Sequence, residues 1–240
     1  MIEEVTNERL LKVWEQAANA PIGSRSTVIL SGLSHNPDSV FNLSIGERDR
    51  QLILLRQNFF GDQIEGMVEC PFCVDRVEVS FRVTEITEQI VQPPVPIIDG
   101  GYVVHWRLPT CRDVALLTTD QGPKQLRSRL LETCLVRIEH GETPITASQC
   151  PERIQQLVSE AMAVADPLGE IQLDVSCPSC EKSWDVVFDI GSFLWKEIDS
   201  WARRLLRDVH CLASTYGWSE ETVLKMSSLR RDWYLDLVKA

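Results

Sequence analysis

Two stretches of the chain, VECPFCVDRVEVSF at 68–81 and VSCPSCEKSWDVVF at 175–188, share one pattern: a Cys-Pro-x-Cys step flanked on both sides by alternating apolar and polar residues. Two thiolates separated by two residues at a tight turn point into one space and supply half of a tetrahedral site. A structural zinc ion takes four such ligands, so neither pair suffices by itself. The pattern therefore predicts that Cys70 and Cys73 meet Cys177 and Cys180 across the 103 residues from Val74 to Ser176. Two β-hairpins would then clamp one structural zinc ion as a split zinc ribbon, and any fold for this chain has to bring them together. Two other readings stay open. Val74 and Glu181 follow the second cysteines, where knuckles commonly have glycine, so the thiols are alternatively remnants of a site that no longer binds metal. Cys-Pro-Phe-Cys also resembles a glutaredoxin active site, although there a helix N-terminus lowers the thiol pKa, and both copies here run into strand-like sequence.

Around the knuckles, the order helix, break, strand, knuckle, strand occurs twice, as in a duplicated unit. Residues 7–18 place Leu10, Leu11, Trp14 and Ala18 on one helical face, and TVILSGL fits either a helix or a strand. Residues 46–60 form a helix with Leu52, Leu55 and Phe59 in its stripe and Gly61 at its end. The hairpins span about 63–84 and 170–190. Between them, Thr110 with Asp113 caps a helix start in RLPTCRDVALL, and 123–139 carries Leu126, Leu130, Cys134 and Ile138 at helical spacing. Pro151 opens a helix through Ile154, Leu157, Val158, Ala161 and Met162 that Asp166-Pro167 stops. From Ser192, read as an N-cap, Leu194, Ile198, Trp201, Leu205, Val209, Leu212 and Tyr216 descend one helical face to Gly217. Ser219 and Ser227 start two shorter helices.

The expected fold class is α+β: the split zinc ribbon, surrounding segments that are mostly helical, and a helical C-terminal third. Residues 1–62 read as an N-terminal helical segment and 63–190 as the duplicated hairpin core with a helical insertion at about 110–166. Residues 191–240 read as helices packed on that core through Trp201, Leu205 and Val209.

Charge narrows the partners. The chain carries 24 Lys and Arg against 35 Asp and Glu, a net charge of −11, which speaks against a general affinity for phosphate backbones. Residues 201–240 are nevertheless +2, leaving −13 for the remainder, which suits a partner with a basic face. In LASTYGWSEETVLKM, Ala213, Gly217 and Val223 have the spacing of a DNA-binding helix-turn-helix, but Glu220 and Glu221 stand where phosphates would be met. The segment reads as a structural αα-corner, and nucleic acid is not expected as a partner. The N-terminus lacks a basic region followed by an apolar one, and no apolar run approaches the ~18 residues of a bilayer span, so a soluble, cytoplasmic protein is expected. Cys111, Cys134, Cys150 and Cys211 lie in or beside helical patterns and read as buried thiols. His35, His105, His140 and His210 are scattered, with His210 read as a core neighbour. No GxxxxGKS/T, GxSxG, HExxH or GxGxxG pattern occurs, and a closed four-cysteine site leaves no position for substrate, so no enzyme is expected.

Longer stretches carry a resemblance: GERDRQLILLRQNFFGDQIEG, CPFC, LPTCRDVALL, RLLETCL, ADPLGEIQLDVSCPSC, and most specifically FDIGSFLWKEI and VHCLASTYGWSEETVLKMSSLRRDWYLDL. Over nearly its whole length the chain resembles the baseplate hub assembly chaperones of contractile-tailed, T-even-type phages, whose relatives occur in phage-derived contractile injection systems. The resemblance implies a cytoplasmic, non-enzymatic factor that helps assemble the hub or baseplate, with a hub or spike protein as partner and no membrane. It assigns no contacting residues. The alternative is a zinc-ribbon nucleic-acid-binding or regulatory protein using the basic tail and the αα-corner.

Overall fold

The computed structural model describes residues 5–87, 89–117 and 122–239. The chain divides into two compact units, 1–37 with 191–240, and 38–190. These bounds follow packing, whereas the sequence division into 1–62, 63–190 and 191–240 follows motif and composition.

The first unit begins with α1 (Asn7–Ala18), capped by the Thr6 side chain, which accepts the Arg9 N–H. Its buried residues are Leu10, Leu11, Val13 and Ala17. Ala18, expected in the stripe, is exposed, because the buried face runs through Val13 and Ala17 one residue earlier. The ambiguous TVILSGL is helical, within α2 (Arg25–Leu33), and buries Ile29, Leu30 and Leu33. A Cβ on Gly32 would lie 2.5 Å from a Val13 methyl, so this glycine lets the two helices approach closely.

The second unit opens with α3 (Pro37–Val40) and α4 (Ile45–Phe60), the latter capped by Ser44 and ended by Gly61 at φ 88°. Strands β1 (Gln63–Glu69) and β2 (Arg76–Arg82) form the first hairpin, and Val83, expected on the strand, starts the short α5 (Val83–Thr87). Next come β3 (Ile97–Asp99), β4 (Tyr102–Trp106), α6 (Cys111–Ala115), α7 (Pro123–Cys134), β5 (Leu135–His140) and β6 (Thr143–Ile145). These strands make an antiparallel sheet in the order β3-β4-β5-β6.

That sheet corrects the sequence reading. The helix expected over 123–139 stops at Cys134, and Ile138 sits on a strand opposite Val104 and Ile145. Helical spacing to Ile138 competes with the alternation of Val136 to Glu139, and here the two flanking strands decide by taking up the backbone hydrogen bonds. α8 (Glu152–Ala165) follows Pro151, and its Ile154 and Val158 join Val104, Trp106 and Ile138 in one buried cluster. The second hairpin is β7 (Ile171–Ser176) with β8 (Ser183–Phe188).

Two polar devices shape this unit. Thr110 and Asp113 form the expected capping box of α6, and Arg107 grips the same carboxylate through both terminal nitrogens at 2.6 and 2.9 Å. At the start of α4, the buried Asp166 accepts the Gly46 N–H through Oδ2 at 2.9 Å.

The chain returns to the first unit with α9 (Ile190–Tyr216), α10 (Glu220–Leu224) and α11 (Ser228–Lys239). α9 starts two residues before Ser192, which therefore lies in its first turn and not at the cap. It ends where expected, at Gly217 with φ 68°. Leu205 and Val209 share a buried cluster with Leu11, Ala202, Leu212, Val223 and Leu224, and Trp14 and Trp201 pack on its margin. His210, expected as a core neighbour, is exposed.

Candidate metal centre

Each knuckle is built by its own turn. Cys70 N–H donates to the Asp75 carbonyl at 2.8 Å and Val74 N–H to the Cys70 carbonyl at 2.9 Å. The second copy repeats this with Cys177 to Lys182 and Glu181 to Cys177, both 2.9 Å. Strand registers match as well: Glu69 opposes Arg76 in one hairpin, and the equivalent Ser176 opposes Ser183 in the other. The residue after each second cysteine is left-handed, Val74 at φ 63° and Glu181 at φ 58°. These are the two positions where knuckles commonly carry glycine. The backbone keeps the glycine conformation without the glycine, at a cost of about 1–2 kcal/mol per residue, greatest for the β-branched valine. Such strain persists only where surrounding structure over-determines it.

The two hairpins converge. Cys70 Sγ lies 3.7 Å from Cys180 Sγ, Cys73 Sγ lies 3.6 Å from Cys177 Sγ, and all four sulfurs fall within 4.8 Å of one another. Sulfurs at the corners of a tetrahedron with 2.3 Å metal–sulfur bonds would be roughly 3.8 Å apart, so the cluster has the dimensions of a tetrahedral site. Cys70 and Cys177 are buried, Cys180 is partly exposed and Cys73 is exposed. The four thiols predicted from the sequence are thus brought together and could hold a metal ion.

The contacts follow an approximate two-fold symmetry that exchanges the hairpins. Exchanging equivalent residues turns the Cys70–Cys180 pair into Cys177–Cys73, and the Phe81–Phe188 edge-to-face contact at 5.2 Å into itself. It also turns the Asp75–Ser179 hydrogen bond into the place where Lys182 Nζ sits 4.6 Å above the Phe72 ring. Behind the sulfurs, Val68, Val77, Val79, Leu173, Val175, Trp184 and Val186 form a small apolar layer.

Electrostatics in the thiol cluster favours a cation. Burial opposes ionisation of Cys70, but the backbone N–H groups of Phe72 and Cys73 bring its thiol down to about 7. Cys73 has backbone help from Asp75, yet desolvation and the other three thiols push it up to about 12. Ionisation is therefore eased at Cys70 and opposed at Cys73 and Cys180, a balance that a bound cation would shift toward the thiolates. Elsewhere, burial raises Cys134 to about 11 and lifts Cys150, as expected of inert core thiols. His140 stacks on Tyr102 with ring centroids 4.3 Å apart. Gly217 and Val223 lie at the α9–α10 corner, where Tyr216, Trp218 and Tyr234 pack as an aromatic cluster. No described helix is long and apolar enough to cross a membrane.

Sequence reasoning missed the Gly46–Asp166 contact, although both residues lie in stretches that carry the resemblance; a glycine in the first turn of a strong helix was the available signal. In comparisons with known proteins, a family model described as T4 bacteriophage base plate protein matches residues 7–195. No curated protein and no solved structure was found to match.

Proposed function

Because the chain belongs to the T4 bacteriophage base plate protein family, we propose that it is a non-enzymatic assembly factor, a chaperone for the hub of a contractile tail-like baseplate, stapled by one structural zinc ion. The observation that carries this reading is the family match, which takes in both knuckles and everything between them. Cys70, Cys73, Cys177 and Cys180 would hold the zinc. Four thiolates close the coordination shell, so the ion would supply a cross-link between hairpins far apart in sequence and offset part of their charge. On this reading, function resides in surface complementarity. The net charge of −11 suits a hub or spike protein with a basic face, met in the cytoplasm before the particle is complete.

Deleting the gene tests this directly. Sheath and tube proteins should still accumulate while baseplates or finished particles are missing, and normal particles in the deletion strain would refute the assembly role. Reversing several acidic residues of the main body should slow association with a hub protein at low salt and matter less at high salt.

A further inference from the structure

The last helix, α11, has two apolar sides. The inner one sets Tyr234, Leu235 and Val238 against the cluster around Leu205, Leu212 and Val223. It also buries Arg231, whose Nη1 donates to the Met226 carbonyl at 2.9 Å. The outer side carries Leu229, Trp233 and Leu237, which are 69%, 67% and 64% exposed. Spaced i, i+4 and i+8, they form one continuous stripe about 12 Å long. Isolated exposed apolar residues need no explanation. Three in register around a tryptophan, on a helix already anchored by its other side, make a patch of roughly 400 Å², comparable to the largest apolar patch of a typical monomer, which is often functional.

Helical geometry at about 100° per residue places Asp232 and Asp236 along one edge of this stripe and Arg230 along the other. Arg230 folds its guanidinium toward the helix's own Tyr234 ring, 5.7 Å from the centroid. Two carboxylates thus line one edge of the stripe and a single guanidinium the other.

We infer that α11 is a docking helix that lays Leu229, Trp233 and Leu237 into an apolar groove on another protein, a groove whose rim carries Lys or Arg beside Asp232 and Asp236. A second copy paired antiparallel fits poorly. Two such helices paired antiparallel about Trp233 would line up Asp232 and Asp236 of both copies on one rim, placing four carboxylates together. The stripe also offers each copy only about half of the ~800 Å² per partner that a stable interface buries. A groove covers more of the helix than a facing helix does and uses i, i+4 anchors of this kind. That the groove belongs to a baseplate protein rests on the assembly role proposed above.

The test titrates the purified full-length chain, by calorimetry, into each hub and baseplate protein encoded with it. Trp233→Ser should weaken the interaction about 30-fold or more, as loss of a central aromatic anchor does, with zinc content and unfolding midpoint unchanged. Asp232→Lys with Asp236→Lys should slow association several-fold at low salt and little at high salt. If Trp233→Ser and Leu229→Ser/Leu237→Ser bind as tightly as the native chain, the docking helix is wrong and the assembly role stands. If the native chain binds none of these proteins, the assembly role fails and the assigned partner with it. A native dimer that Trp233→Ser converts to monomer would give the stripe to a second copy and overturn the inference, and indifference to the charge reversal would remove the basic rim.

Discussion

Replacing Gly46 with alanine adds a methyl group where the second unit has no room for it. The new Cβ would lie 2.7 Å from the Asp166 carboxyl carbon and 2.9 Å from the Gly169 backbone nitrogen, closer than real Cβ atoms approach. Asp166 is 6% exposed, and its Oδ2 accepts the Gly46 N–H. Its Oδ1 is buried without a hydrogen-bond partner among the described residues, so a displaced carboxylate has little to fall back on. Losing a hydrogen bond to a charged group costs about 1.5–3 kcal/mol, and overpacking a tight contact costs about 1–3 kcal/mol. Against this, alanine is the better helix former by up to ~1 kcal/mol. The expected net destabilisation is about 2–5 kcal/mol, measurable by urea unfolding and as faster amide exchange in α4. In an Asp166→Ala background most of the obstruction is gone, and the same Gly46 substitution should cost at least ~1 kcal/mol less. A Gly46→Ala protein within ~0.5 kcal/mol of the native one, or an equal cost in both backgrounds, would show that the carboxylate contact is not what reserves this position for glycine.

Metal analysis should give one zinc per chain, and Cys177→Ser should abolish stoichiometric binding and cost several kcal/mol, since zinc sites in isolated small domains contribute on the order of 10 kcal/mol; two ions per chain, or none after zinc-supplemented expression, would remove the single four-thiol site. Val74→Gly relieves a left-handed valine at φ 63° and should raise stability by up to ~1 kcal/mol once glycine's greater chain entropy is offset, with a smaller gain for Glu181→Gly. Thermal unfolding of the zinc-loaded protein checks this, and a loss at Val74 would argue against strain there. The Arg107 guanidinium beside Asp113, helped by Thr110, holds that carboxyl well below the usual carboxylate range. Its folded pKa is depressed, so its contribution is fully present above the unfolded value of about 3.9 and is lost as pH falls toward the folded one. Asp113→Asn should therefore cost about 1–3 kcal/mol near pH 7, and the gap to the native protein should narrow below about pH 4.

The features legible in the residues alone are those that form within a short span of chain. The knuckle turns close through bonds spanning four and five positions, the caps at Thr110 and Ser219 span three, and Gly61 and Gly217 end their helices through their own φ angles. Repetition added one long-range statement, because a thiol pair at 70 and 73, read as half of a metal site, calls for the pair at 177 and 180, and the four sulfurs do converge. Tertiary structure overruled or settled what local pattern left to it. Leu135 to His140, expected as the end of a helix, became a strand because β4 and β6 flank it. TVILSGL, ambiguous between helix and strand, became a helix that lets Val13 pack against Gly32. The pairing of Gly46 with Asp166 lay beyond local reading altogether, since the two residues are 120 positions apart and only the folded chain creates a space too small for a side chain. Hydrogen bonds that close over a few residues leave periodic marks in a sequence, whereas close packing between distant segments depends on shapes that exist only after the chain has folded.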